Sequence, residues 1–238
     1  IRLDASFAPA FPPVGGHVAF SSQSGALGVA ILALAAERGV GISQFVSIGN
    51  KADVSSNDLL EYWEADPRTT AILLYLESFG NPRRFSRIAR RVTRSKPIVA
   101  VKAARTRAGT RAASSHTAAL AATDDAVDAL FRQSGVIRAN TIDEMFDIAA
   151  CLDAQPLPRG GRVGVVTNAG GPGILAVDAC ESAGLTVADL SPETRRTLAT
   201  FLPLMASLCN PVDMVASAGG SEYRQTVQAV LSAPETDA

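Results

Sequence analysis

Only two histidines occur in 238 residues, and the surroundings of one suit phosphoryl chemistry. His116 stands in Ser114-Ser115-His116-Thr117-Ala118-Ala119-Leu120, a small, polar stretch between an apolar run and a helical pattern. An imidazole nitrogen can attack phosphorus and hold the group covalently, and small neighbours leave space for it. Such a nucleophile needs an acceptor on its other ring nitrogen to fix the tautomer. Glu77, directly after the apolar run Ile72–Leu76, is the carboxylate expected to serve. Asp124 and Asp125 read instead as first-turn acids of a helix capped by Thr123, and His17 reads as a strand-edge residue.

A phosphoryl group also needs somewhere to rest. Val18–Gly28 aligns without gaps on Val163–Gly173, with Gly25 on Gly170, Gly28 on Gly173 and, further on, Gly39 on Gly184. The repeat predicts two strand–turn–helix units of one design. The first N–H groups of a helix lack internal partners and carry partial positive charge, and glycine lets an anion approach the backbone. The predicted phosphate-binding residues are therefore Ser22, Ser24, Gly25 and Ala26 in the first turn, and Asn168, Ala169, Gly170 and Gly171 in the second, with Thr167 as a further donor. The turn Ser22–Gly28 lacks the first glycine of G-x-G-x-x-G, and the next strand ends at Ile48-Gly49-Asn50-Lys51 with no ribose-binding acid, which argues against nicotinamide binding. Neither a P-loop nor a G-x-S-x-G hydrolase elbow is present.

The elements that must position these residues alternate along the chain. Apolar runs at 17–22, 42–48, 71–76, 98–101 and 136–137 read as strands, with helical patterns at 24–38, 57–65, 82–93, 123–134 and 142–152 between and after them. Runs apolar throughout, separated by amphipathic helices, imply a parallel sheet covered on both faces: an α/β, doubly wound, flavodoxin-like domain over 17–154. Residues 1–16 and the Pro/Gly-rich stretch 155–161 read as linkers. A second α/β unit follows over 162–238, with strands at 162–166 and 185–188, a short strand within 209–214, and helices at 172–183, 191–201 and 222–231. About three strands are too few for a finished doubly wound domain, so the second is expected to be a partial flavodoxin-like domain. Together with a start at Ile1 rather than Met, this makes the chain read as a piece of a longer protein, whose exposed apolar surface should favour homo-oligomers.

With 22 basic and 23 acidic residues the formal net charge is −1, which gives no electrostatic case for nucleic acid or an anionic membrane. No apolar run is long enough to span a bilayer. Cys151, Cys180 and Cys209 are far apart and form no C-x-x-C, so they read as core or partly buried thiols in a reducing cytoplasm, and no metal site is expected.

Taken together, Ser22–Gly28, Ile48–Asp53, Ser115-His116-Thr117, Gln133–Arg138, Thr167–Gly173 and Asn210–Met214 resemble the NDP-forming acyl-CoA synthetases, relatives of succinyl-CoA synthetase, nearly end to end. The resemblance implies that acyl-CoA, phosphate and NDP interconvert with free acid, CoA and NTP through a phosphohistidine. It assigns that histidine to His116, its orienting carboxylate to Glu77, and substrate binding to Gly49, Asn50 and Lys51. It implies CoA and ATP or ADP with Mg2+ as ligands, held mainly by an N-terminal CoA-binding domain and an ATP-grasp domain on the same polypeptide or a separate subunit. An alternative is the synthetase-like regulatory region of a bacterial protein lysine acetyltransferase, with an acetyltransferase domain alongside.

Overall fold

The structure is a computed structural model that describes residues 16–106, 108–109, 111 and 123–238. The chain divides into two compact units between Pro156 and Leu157.

The first unit is a five-stranded sheet in the order β2-β1-β3-β4-β5, parallel throughout. The strands are β1 (Val18–Ser22), β2 (Ile42–Ser47), β3 (Ala71–Leu76), β4 (Ile98–Lys102) and β5 (Ile137–Ala139). Between and after them run α1 (Gly25–Glu37), α2 (Ser56–Ala65), α3 (Pro82–Val92), α4 (Asp124–Ser134) and α5 (Ile142–Ala154). This is the flavodoxin-like order. The strands are continuous apolar runs because both faces are covered. Ile72, Leu74 and Leu76 of β3 pack with Trp63 of α2, Phe85 of α3 and Phe131 of α4, whereas Ala71 and Leu73 pack with Ile31 of α1 and Phe146 of α5. All of these side chains are essentially solvent-free, and each large one contributes roughly 1.5–3 kcal/mol of burial. Local signals set the helix ends. Asn81 caps α3 by accepting the Arg84 N–H at 3.0 Å, with Pro82 in the first turn. Gly135 closes α4 at φ +71°.

The second unit contains α6 (Gly170–Ser182), α7 (Pro192–Ala199) and α8 (Gly220–Leu231), with a core of Leu190, Leu198, Leu202, Val212, Met214 and Val230. The single strand expected over 162–166 is two strands. β6 (Arg162–Val163) pairs with β8 (Thr186–Val187), and β7 (Val166–Thr167) pairs with β9 (Val212–Asp213). The hand-over is made by Asn210. Its Nδ2 donates to the carbonyls of Val163 and Ala188 at 2.7 and 2.8 Å, and its Oδ1 accepts the Val165 N–H at 2.8 Å. Ile174 and Leu175 of α6, and Leu204 and Met205, are exposed apolar side chains of this unit.

Among the described residues, no helix is long and apolar enough to cross a membrane, and no three potential metal ligands come together. The cysteines depart from expectation: only Cys180 is partly buried, and Cys151 and Cys209 are exposed. Cys151 lies near the end of α5 and Cys209 in the loop before β9.

Candidate functional site

Parallel pairing brings the carboxyl ends of β1 to β5 to one rim. β1 and β3 are neighbours there, yet the chain leaves them toward opposite faces, to α1 on one side and α3 on the other. Such a switch point opens a crevice at the strand ends. Gln23 and Glu77 each follow the last residue of one of these two strands.

Gln23 organises this switch point. It is 7% exposed, and its Oε1 accepts the N–H groups of both Glu77 and Ser78 at 2.9 Å. Its Nε2 donates to the Ser78 carbonyl at 2.7 Å. The Lys51 ammonium joins the group, donating to Gln23 Oε1 at 3.3 Å, to the Ser78 carbonyl at 3.2 Å and to Ser78 Oγ. Lys51 reaches this position from a left-handed backbone at φ 57°, directly after the turn made by Gly49 at φ +47°. Burial lowers the pKa of Lys51, and the Glu77 carboxylate opposes that shift. Burial and the same carboxylate raise the pKa of Tyr75.

The two glycine turns are built alike. In the first, Ser22 Oγ donates to the Ser24 carbonyl at 2.7 Å and accepts the Ser24 N–H at 3.1 Å. In the second, Thr167 Oγ1 donates to the Ala169 carbonyl at 2.9 Å and accepts the Ala169 N–H at 3.0 Å. Each turn opens a 13-residue helix, and Gly39 and Gly184 follow the helices at φ +69° and +79°. Gly28 and Gly173 are the buried glycines of the first turns, the former against the Phe45 ring. The Ser24 hydroxyl caps α1 by accepting the Leu27 N–H at 3.4 Å. The N–H groups of Gly25 and Ala26, and of Gly170 and Gly171, are helix-start donors with no intrahelical acceptor.

The structure therefore gathers Ser22, Ser24, Gly25, Ala26, Lys51 and Glu77 on one rim, and builds Asn168, Ala169, Gly170 and Gly171 into the equivalent rim of the second unit. Ser22 is fully buried and its hydroxyl shapes the turn. Gly49 and Asn50 are exposed beside the rim. His116 lies outside the described residues. Asp124 does more than open α4: it bridges Arg105 and Arg138. Sequence reasoning missed Gln23, which reads as an ordinary turn residue, and Lys102, which extends β4 by one residue. Lys102 is 4% exposed. Burial lowers its pKa, opposed by Asp124 and Glu77. Asp213 was also missed: its Oδ2 lies 3.3 Å from where a side chain at Gly170 would begin.

Residues 15–152 match the family model of the succinyl-CoA ligase like flavodoxin domain. The chain belongs to this family. Residues 163–238 match the Ligase-CoA domain. Among curated relatives, the acetate–CoA ligase (ADP-forming) II subunit alpha of Pyrococcus furiosus is 47% identical over 93% of this chain and 48% of its own length. The 4-hydroxybutyrate–CoA ligase (ADP-forming) of Nitrosopumilus maritimus is 38% identical over 94% of this chain and 32% of its own length. Among solved structures, the dinucleotide-forming acetyl-coenzyme A synthetase 1 of Ca. Korarchaeum cryptofilum, in complex with phosphate and ADP, superposes with a TM-score of 0.89 at 38% identity, covering 99% of this chain and 51% of that one. This succinyl-CoA-ligase-like chain thus spans about half the length of these proteins or less.

Proposed function

We propose that the chain is the phosphoryl-relay part of an ADP-forming acyl-CoA synthetase. The observation that carries this reading is the pair of identically closed turns, each opening a helix whose first N–H groups lack acceptors, one of them beside Glu77 at the β1/β3 switch point. A phosphate oxygen attacks the thioester carbonyl carbon of acyl-CoA and the CoA thiolate leaves. The His116 imidazole then attacks phosphorus in the acyl phosphate and the carboxylate leaves. An NDP oxygen finally takes the phosphoryl group from the imidazole. Glu77 accepts the other imidazole N–H throughout. The helix start at Ser24–Ala26 and, within the second unit, the one at Ala169–Gly171 are each suited to hold a phosphoryl group, and Gly49 and Asn50, with the Lys51 backbone, line the substrate side.

CoA and the nucleotide with its Mg2+ are held mainly by a CoA-binding domain and an ATP-grasp domain, on the same polypeptide or a partner subunit. The ADP-forming ligase names of the relatives favour this reading over a regulatory region of a lysine acetyltransferase. The exposed Ile174, Leu175, Leu204 and Met205 support association with another domain or a second copy, and a cytoplasmic enzyme fits this chemistry. The test is radiolabelling with NTP in the full-length protein. An acid-labile, base-stable phosphate on His116 is expected, and undiminished labelling in His116→Ala would overturn the assignment.

A further inference from the structure

Gln23 and Asn168 hold the same place in the two glycine turns, but their side chains do different things. The turns close without them, through Ser22 and Thr167. Asn168 makes no side-chain hydrogen bond among the described residues. Gln23 makes four, and every partner lies outside its own turn: the N–H groups of Glu77 and Ser78, the Ser78 carbonyl and the Lys51 ammonium. The shape of a glycine turn therefore does not require this amide. A nearly buried amide whose acceptor takes three donors while its own N–H is also used is held in one orientation.

We propose that Gln23 is a positioning residue, clamping the end of β3 and the Lys51 ammonium to the first anion-binding turn so that the Glu77 carboxylate stands at a fixed place beside it. This rests on the phosphoryl-relay reading, in which Glu77 orients the reacting imidazole. Three segments of the rim are tied at one amide: the start of α1 through the Gln23 backbone, the Gly49–Lys51 turn through Lys51, and the end of β3 through Glu77 and Ser78. Lys51 contributes its charge as well as its bonds. All three of its N–H donors are taken within the cluster, so its place in the site is to hold Glu77's surroundings rather than to reach a substrate with its ammonium.

The test uses the full-length protein and Gln23→Met, which keeps the side-chain length and removes both polar atoms. Hydrogen exchange at the Glu77 and Ser78 amides is expected to speed up about tenfold, the equivalent of losing one hydrogen bond, while the α1 amides keep their protection. The rate of His116 phosphorylation is expected to fall about tenfold with the nucleotide KM unchanged, because a misplaced group costs rate rather than remote binding. Unchanged exchange, or faster exchange with an unchanged phosphorylation rate, would overturn the proposal. If Gln23→Met does not fold, Ser78→Ala removes only the hydroxyl acceptor of Lys51. It should lower the phosphorylation rate by a smaller factor, and an unchanged rate there would also overturn it. If the wild-type protein carries no phosphohistidine while Gln23→Met still speeds the exchange, the relay reading fails and the clamp stands.

Discussion

Ser22 and Thr167 make the same turn in two different units. Each hydroxyl accepts the N–H two residues on, at 3.1 and 3.0 Å, and donates to the carbonyl of that same residue, at 2.7 and 2.9 Å. The bonds satisfy the backbone of the residue before each helix, while the first N–H groups of the helix itself have no intrahelical acceptor. The two positions differ in one respect: Ser22 is fully buried and Thr167 is not. Removing the Ser22 hydroxyl strands the Ser24 N–H in a partly buried turn, where water replaces the lost bond less readily than at the exposed Ala169.

Ser22→Ala should therefore destabilise the first unit by about 1–2 kcal/mol, and Thr167→Ala should cost its unit less. Chemical denaturation of each variant checks the order. Equal costs would show that burial is not what makes the first turn depend on its hydroxyl.

Two glycines at comparable turns should respond in opposite ways. A methyl group at Gly28 would sit 2.5 Å from Phe45 Cζ, in a ring that stacks on Phe20 at 5.7 Å. Gly28→Ala must displace that ring and should cost about 1–2 kcal/mol. A methyl group at Gly171 meets nothing within 4 Å, so Gly171→Ala should leave stability unchanged or raise it by a few tenths of a kcal/mol through helix propensity, about the scale of that effect near a helix start. Ala26 holds the equivalent place in the first turn, so any stabilisation by millimolar phosphate in thermal unfolding should be the same in this variant as in the wild type.

Much of the fold is legible in the sequence for a physical reason. A parallel sheet covered on both faces needs unbroken apolar strands, and Val18–Phe20 and Ile98–Val101 are such runs. The repeated glycines were legible because a tight strand-to-helix turn constrains backbone and packing, and glycine records that constraint. Lys102 shows where this reading stops short. A charged residue looks like the end of a strand, yet it continues β4 and is buried at the rim. Gln23 was illegible because its meaning lies in partners 28 to 55 positions away, brought to it only by the strand order. The split of 162–166 was illegible for the same reason: two strands in one apolar run differ only in which neighbours they pair with.

That split makes the second unit sensitive to Asn210. Its amide replaces ladder hydrogen bonds where β6 gives way to β7, serving the Val165 N–H and the carbonyls of Val163 and Ala188. Asn210→Ala should cost about 2–4 kcal/mol, since three groups lose partners at once. Asn210→Asp keeps the outline but sets an oxygen against two carbonyl oxygens, so it should be at least as damaging. Urea denaturation of the second unit measures both, and a near-wild-type Asn210→Asp would refute this account of the hand-over.

The pH dependence of the second unit should centre on Glu235. Its carboxylate accepts the Ser191 N–H at 2.6 Å and the Thr194 hydroxyl at 2.8 Å at the start of α7. The Ser191 bonds above all, with the Thr194 bond, lower its pKa from 4.5 to about 2, and the helix end adds to the attraction for negative charge. A carboxylate whose pKa is lower folded than unfolded contributes stability above the unfolded value, and that stability is lost as pH falls through the folded value. The contribution should thus be complete above about pH 5 and gone near pH 2, amounting to about 1–2 kcal/mol after allowing for solvent screening of a partly exposed group. Hydrogen exchange of the α7 amides across this range should show protection falling toward low pH. Glu235→Gln should begin at the lower protection and change little with pH, and a variant that tracks the wild type throughout would place the acid sensitivity elsewhere.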